Sequence, residues 1–280
     1  MNILVINGSP KGKYSITLQT VNYLAALYGE HTFEILHAGQ RIKALEKDFT
    51  EAKAAIERAD LLLFAYPVYT FIAPSQLHRF IELLKAANIS LDGKFATQIT
   101  TSKHFYDVTA HRYIEDNAND LGLKFIKGLS ADMDDLLTEK GQKEAKAFFE
   151  FVCYSVENNI FESPRNKTTA PRHIPVEVPE TTNEKNGDIA LVTDCGEDDK
   201  NLAAMIERFK AVMPKNVRVI NLREYPFSGG CLGCFNCAAD GKCIYKDGFD
   251  SFLRDTIQTA DAIVYAFSIK DHSMGALFKT

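Results

Sequence analysis

Short apolar runs, each followed by a stretch with helical character, limit what the first 160 residues can fold into. The runs are ILVI (3–6), TFEIL (32–36), LLLFA (61–65), KFATQIT (94–100) and LKFIKG (123–128). The first and third carry no polar residue at all. A strand of that kind is buried on both faces, which is the condition of a parallel sheet covered by helices on each side. Helix-like segments lie near 15–28, 50–59, 74–87, 106–121 and 138–157. The alternation predicts an α/β fold: a doubly wound, parallel, five-stranded sheet over residues 1–160.

Residues 161–186 change character. FESPRNKTTAPRHIPVEVPETTNEKN is rich in Pro, Thr and Asn and has no helical period, so it reads as an extended linker. After it the first pattern restarts. GDIALVTD predicts a strand, NLAAMIERFKAVM a helix, VRVINL a strand, DGFDSFLRDTIQT a helix and ADAIVYAFSI a strand. Ala59–Ala65 aligns with Ala260–Ala266 at an offset of 201, and Leu4-Val5 with Leu191-Val192 at an offset of 187. Residues 187–280 are therefore expected to be a second, incomplete copy of the first unit, with a cysteine-rich loop inserted between its second strand and second helix. That copy stops at Thr280, before two strands that the first copy still has, and it reads as truncated.

Chemistry concentrates in the loops that follow the strands. After the first strand comes GSPKGKYSIT. Ser9, Ser15 and Thr17 supply hydroxyls, Lys11 supplies charge, and Gly8 and Gly12 let the backbone turn into a helix N-terminus. Such a loop cradles a phosphate. It is one residue too short for a Walker loop, and Tyr14 stands where that loop needs a hydroxyl. The dinucleotide fingerprint G-x-G-x-x-G is absent. After the third strand, YPVYTFIAP offers aromatic rings and backbone donors, which suit a flat heteroaromatic ring; Tyr66, Tyr69 and Phe71 can equally be plain core or surface aromatics. After the fourth, Thr100–Tyr106 (TTSKHFY) is again rich in donors. Ligands of open α/β sheets bind where such strand ends converge.

These loops resemble those of the NAD(P)H-dependent FMN reductase branch of the flavodoxin-like superfamily. GSPKGKYSIT is similar to that family's phosphate loop, and Pro67-Val68-Tyr69 with Pro74 and Leu77 is similar to its flavin loop. Ile16 stands where the family prefers Asn, and His78 where it prefers Lys. The resemblance covers about residues 1–155 and implies a flavodoxin-like sheet that binds FMN. It assigns Ser9, Lys11, Ser15 and Thr17 to the phosphate, and Pro67, Val68, Tyr69, Thr70 and Phe71 to the ring; Ile16 in the first loop and Thr101 and Ser102 in the third are further candidate cofactor-binding residues. The implied activity is that of an oxidoreductase. It passes electrons between NAD(P)H, or a reduced carrier, and a small-molecule or protein acceptor. Dimerisation is common in the family, so a homodimer or an internal pseudo-dimer of the two copies is expected. No catalytic acid or base stands out.

Four of the six cysteines, Cys231, Cys234, Cys237 and Cys243, crowd into CLGCFNCAADGKC. The spacing C-x2-C-x2-C-x5-C can wrap one compact cubane; tetrahedral zinc and four free thiols are the competing readings. The segment resembles the cysteine motif of iron–sulfur flavoproteins, which implies a 4Fe-4S cluster with Gly233, Gly241 and Asp247 at matching positions. The acidic first loop of the second copy, DCGEDDKN, would repel a phosphate, so FMN is expected on the first copy alone.

A net charge of −5 without a basic stripe argues against nucleic acid. The longest apolar runs are too short to span a membrane. Only Met1-Asn2 precedes the first strand, leaving no room for a leader, so cytoplasm is the expected compartment. The alternative to a flavoenzyme is a non-catalytic flavodoxin-like binding module whose cysteines hold zinc or remain free.

Overall fold

The computed structural model describes residues 1–103, 107–164, 177 and 186–280. It divides into two compact units, Met1–Arg165 with Asp271–Ala276, and Asn166–Lys270 with Leu277–Thr280. Apart from 161–164, 177 and 186, the expected linker 161–186 lies outside the described residues, as do 104–106 of the third loop.

In the first unit, strands β1 (Asn2–Asn7), β2 (Thr32–Leu36), β3 (Leu61–Pro67), β4 (Phe95–Ser102) and β5 (Lys124–Phe125) lie in the order β2-β1-β3-β4-β5. All of these pairs are parallel. This is the flavodoxin-like order, in which the chain reverses direction across the sheet between β1 and β3. Side chains alternate between two cores. Leu4, Ile6, Leu62, Phe64 and Tyr66 face one side, packed with Leu45, Ile56, Phe80 and Ile114. Ile3, Val5, Leu61, Leu63 and Ala65 face the other, packed with Leu18, Leu24, Phe149 and Val152. Both faces of β1 and β3 are therefore dry, which is why these strands tolerate no polar alternation.

Helices α1 (Ile16–Leu27), α2 (Ala38–Leu45), α3 (Thr50–Arg58), α4 (Ser75–Ala86), α5 (Val108–Asp120) and α6 (Glu139–Glu157) cover the sheet. Five of them follow the sequence pattern closely; α2 does not. AGQRIKAL is a short helix outside the expected segments, and its place is fixed by a close backbone approach. A Cβ on Gly39 would stand 2.4 Å from the carbonyl oxygen of Gly8. The fifth strand also departs from expectation. LKFIKG does not run as one strand: β5 ends at Phe125 and β6 (Leu129–Asp132) resumes pairing with β4. Gly128 sits in the break, where a Cβ would come within 2.5 Å of the Gln98 carbonyl oxygen.

Asp271–Ala276 packs on α4 and α5 as part of this unit. His272 Nε2 lies 2.7 Å from Asp120, Lys85 pairs with Asp271 at 2.9 Å, and Asn117 Nδ2 donates to the Asp271 carbonyl at 3.0 Å.

The second unit holds β7 (Asp188–Thr193), α7 (Lys200–Val212), β8 (Asn216–Asn221), α8 (Phe249–Phe252), which widens into a π-turn over Leu253–Ile257, and β9 (Ala262–Ala266). Its sheet order is β8-β7-β9, all parallel, which repeats β2-β1-β3. The registers correct the repeat by one residue. Asp60 N–H donates to the Asn2 carbonyl and the Asp60 carboxylate accepts from Asn2 N–H. Asp261 and Asp188 make the same two bonds. Asn2 therefore corresponds to Asp188, an offset of 186 rather than 187. Against the 201 of the Asp60–Asp261 pair this leaves 15 residues, the length of Gly229–Cys243.

Gly39→Ala should cost about 1–3 kcal/mol, the range for forcing extra atoms into a packed contact. Gly29→Ala, with nothing within 4 Å of its added carbon, should be close to neutral. Urea unfolding of both variants checks the pair, and equal losses would contradict the close approach at Gly39.

Candidate functional site

The loop after β1 is organised by a residue that the motif reading passes over. Asn7 is the last residue of β1 and is fully buried. Its Nδ2 lies 2.9 Å from the Gly12 carbonyl and 3.1 Å from His37 Nδ1, and its Oδ1 accepts from Ser9 N–H at 3.1 Å. Lys11 N–H donates to Ser9 Oγ at 3.2 Å. Gly12, at φ +56°, leads into a 3-10 turn over Gly12–Tyr14. For Nδ2 to donate to His37, the imidazole must be neutral at Nδ1. Burial, and then the Arg41 charge, hold the His37 pKa below its ordinary value, in keeping with that role.

Ser15 is the N-cap residue of α1, yet its side chain caps nothing. Its Oγ is buried and has no hydrogen-bond partner among the described residues. The first turn of α1 carries no acidic side chain. The first N–H groups of a helix lack intrahelical partners, so this end combines free backbone donors, an unspent buried hydroxyl and the positive end of the helix dipole. Lys11 is exposed beside it, and so is Ile16, the first residue of α1. Thr17 is wholly buried, and its Oγ1 lies 2.6 Å from Thr101 Oγ1.

At the end of β3 the chain makes a tight reversal. Tyr69 and Ile72 exchange backbone bonds of 2.9 and 3.3 Å, and between them Thr70 and Phe71 have φ of +51° and +70°. Two consecutive left-handed residues other than glycine, one of them β-branched, are sterically unfavourable. The turn leaves the Phe71 ring 48% exposed. Val68 N–H donates to the Thr101 carbonyl at 3.1 Å, and Pro74 ends the loop as the N-cap of α4. Tyr66 is not part of this wall: it lies in the core, its hydroxyl 2.6 Å from Gln98 Oε1.

β4 ends with Thr101 and Ser102, both buried, and Lys103 pairs with Asp134 at 2.9 Å and Asp132 at 3.1 Å. On the α5 side a polar cluster runs from Thr100 Oγ1 to His111 Nε2 at 2.8 Å, with Asp107 3.6 Å from the same nitrogen and bonded to Ser130. Burial lowers the His111 pKa against the opposing pull of Asp107. Sequence reading missed this cluster, because no spacing rule links residues brought together by three separate elements. The loops after β1 and β3 thus flank the point where the sheet order reverses, and the phosphate-type and aromatic-type residues fall on neighbouring strands.

Residues 1–113 match the family model described as NADPH-dependent FMN reductase. The matched segment ends inside α5, so it includes β1, β3, β4 and the loops that follow them. Solved reductases to which the chain is similar share 13–19% identity with it. An FMN-dependent NADH-azoreductase from Bacillus anthracis, in complex with FMN, is 16% identical; the alignment covers 57% of this chain and 100% of that one, with a TM-score of 0.41. An apo NADH:FMN oxidoreductase is 19% identical, with 55% and 89% covered and a TM-score of 0.47. An NAD(P)H:quinone oxidoreductase from Methanothermobacter marburgensis is 13% identical, with 59% and 99% covered and a TM-score of 0.43. No curated protein matches the chain. No helix among the described residues is long and apolar enough to cross a membrane.

In the second unit the equivalent first loop is closed on itself. Gly196 N–H donates to Asp199 Oδ2 at 2.8 Å, and Arg223 Nε donates to the Asp194 carbonyl at 2.6 Å. The cysteine loop stands where the first unit has α2. Cys231, Cys234, Cys237 and Cys243, none of them in a disulfide, line one cavity of about 510 Å³, together with Phe227, Tyr245 and Phe249. Gly233, Phe235 and Gly241 are left-handed within the loop, and Cys231 Sγ accepts from Gly233 N–H at 3.4 Å. Asp250 accepts from Cys243 N–H and Asp247 from Ser228 N–H, so two carboxylates brace the loop at its base. Among the described residues no group of three or more His, Cys, Asp or Glu side chains is arranged to hold a metal ion.

His37 supplies a pH test. Its folded pKa is lowered, so the unfolded chain binds the proton more tightly and this stability contribution falls as pH drops through about 6.5 and below. The difference in thermal midpoint between the wild type and His37→Gln should therefore shrink between pH 7.5 and 5.5. A difference that does not change with pH would show that the imidazole need not be neutral.

Proposed function

We propose that the first unit binds FMN and works as an NAD(P)H-dependent flavin oxidoreductase. The observation that carries this reading is the uncapped N-terminus of α1 with the buried, unpartnered Ser15 hydroxyl, a fit for a phosphate dianion. Ser9, Ser15 and Lys11 would hold the phosphate, together with the free N–H groups of Ile16 and Thr17. Pro67 through Phe71 would flank the ring, with the strained Thr70-Phe71 turn presenting its aromatic side chain there. Ser102 closes the third side. FMN held there would supply the redox chemistry that links a nicotinamide donor to an electron acceptor. The chain's own residues bind, orient and shield; the buried ends of β3 and β4 exclude water from that side. The match over residues 1–113 supports the same reading.

The test is titration of the purified chain with FMN, followed by NADH or NADPH oxidation in the presence of a quinone. Binding with turnover is expected. Ser15→Ala should weaken FMN roughly five- to tenfold or more, as for a lost hydrogen bond to a charged group. No uptake of FMN by the wild type would move the reading to a binding module.

A second, finer reading concerns the cysteine loop. Its four thiols line one cavity without being gathered into a ready metal site, and a backbone N–H points at Cys231 Sγ, the kind of bond that cluster sulfurs accept. We read it as the holder of a 4Fe-4S cluster, with zinc as the competitor. Iron, sulfide and zinc assayed after anaerobic purification decide between them. About four irons per chain, abolished by Cys234→Ser, is the expected result.

A further inference from the structure

We infer that the hydroxyl pair of Thr17 and Thr101 is a latch that makes the phosphate half and the ring half of the flavin site one mechanical unit. This inference rests on the FMN reading above. The two Oγ1 atoms lie 2.6 Å apart, Thr17 fully buried and Thr101 5% exposed. One hydroxyl donates to the other, away from solvent, while Ser15 two residues earlier has a buried hydroxyl with no partner among the described residues.

The backbone of the same two residues reaches both halves of the site. Thr17 lies in the first turn of α1, where its N–H is one of the donors without an intrahelical partner. Any shift of Thr17 shifts the whole phosphate-side donor set. Thr101 holds the other half. Its carbonyl accepts from Val68 N–H at 3.1 Å, the bond that anchors the start of the strained Tyr69–Ile72 reversal. Thr101 is in turn fixed within the sheet, paired with Pro67 of β3 on one side and Ala131 of β6 on the other. Sheet register thus passes to α1 through one hydroxyl pair, and to the ring loop through one carbonyl.

The positioning role predicts an effect across the two halves. Thr17→Val is isosteric and removes only the hydroxyl. It should lower FMN affinity roughly three- to tenfold, the loss for one net hydrogen bond. It should also change the visible circular dichroism of the bound ring, although Thr17 belongs to the phosphate half. Thr101→Val should do the same, and the double variant should lose no more affinity than the worse single one, because one bond serves both residues. Thr17→Ser and Thr101→Ser keep the hydroxyl and should restore the wild-type spectrum. If Thr101→Val does not fold, Thr17→Val reads the same bond. Unchanged ring dichroism with normal affinity, or additive losses in the double variant, would overturn the latch. Failure of the wild type to bind FMN would instead overturn the flavin reading itself.

Discussion

The carboxamide of Asn7 holds the functional end of the first unit together. It sits at the last position of β1, fully buried, and its bonds go to the Ser9 N–H, the Gly12 carbonyl and His37 Nδ1. A buried amide with paired donors and acceptor is stable, and one with a missing partner is costly. The path of the loop, the entry of α2 and the neutral state of His37 are therefore bound to one another. Gly39 completes the arrangement, because only a residue without Cβ lets α2 touch the turn.

With the loop fixed, the chemistry follows from what is left unspent. Gly12, Tyr14 and Ser15 use their N–H groups inside the turn. Ser15 Oγ and the first N–H groups of α1 remain. One strand over, the positive φ angles of Thr70 and Phe71 are tolerated because the flanking Tyr69–Ile72 bridge and the Val68–Thr101 bond pin the reversal. Strain kept where a ring would lie is consistent with a preorganised wall, since a relaxed loop would settle into ordinary angles.

The second unit shows the same frame put to another use. Its central strand β7 is buried, and its Asp188–Asp261 lock repeats Asn2–Asp60 bond for bond. Its first loop has turned its donors and charges inward through Asp199 and Arg223. The place of α2 has gone to four thiols around one cavity. Shared topology therefore does not give two equivalent sites; each follows from its own loop residues.

The sequence by itself determined the alternation of strands and helices, the parallel sheet, the repeat and the loops in which chemistry concentrates. Each of these is a local pattern: an apolar run, a helical period, a Gly-Ser-Pro turn. The tertiary structure alone decided the placement of α2, the break between β5 and β6, and the one-residue correction to the repeat. All three come from backbones meeting at Gly39, Gly128 and the Asp60 and Asp261 side chains, contacts between residues distant in the chain. It also sorted the candidates by side-chain partner. Tyr66 went to the core, Thr17 to Thr101, and Ser15 was left without a partner among the described residues. A hydroxyl in a loop looks the same in sequence whether it is spent or free, because its partner comes from another strand.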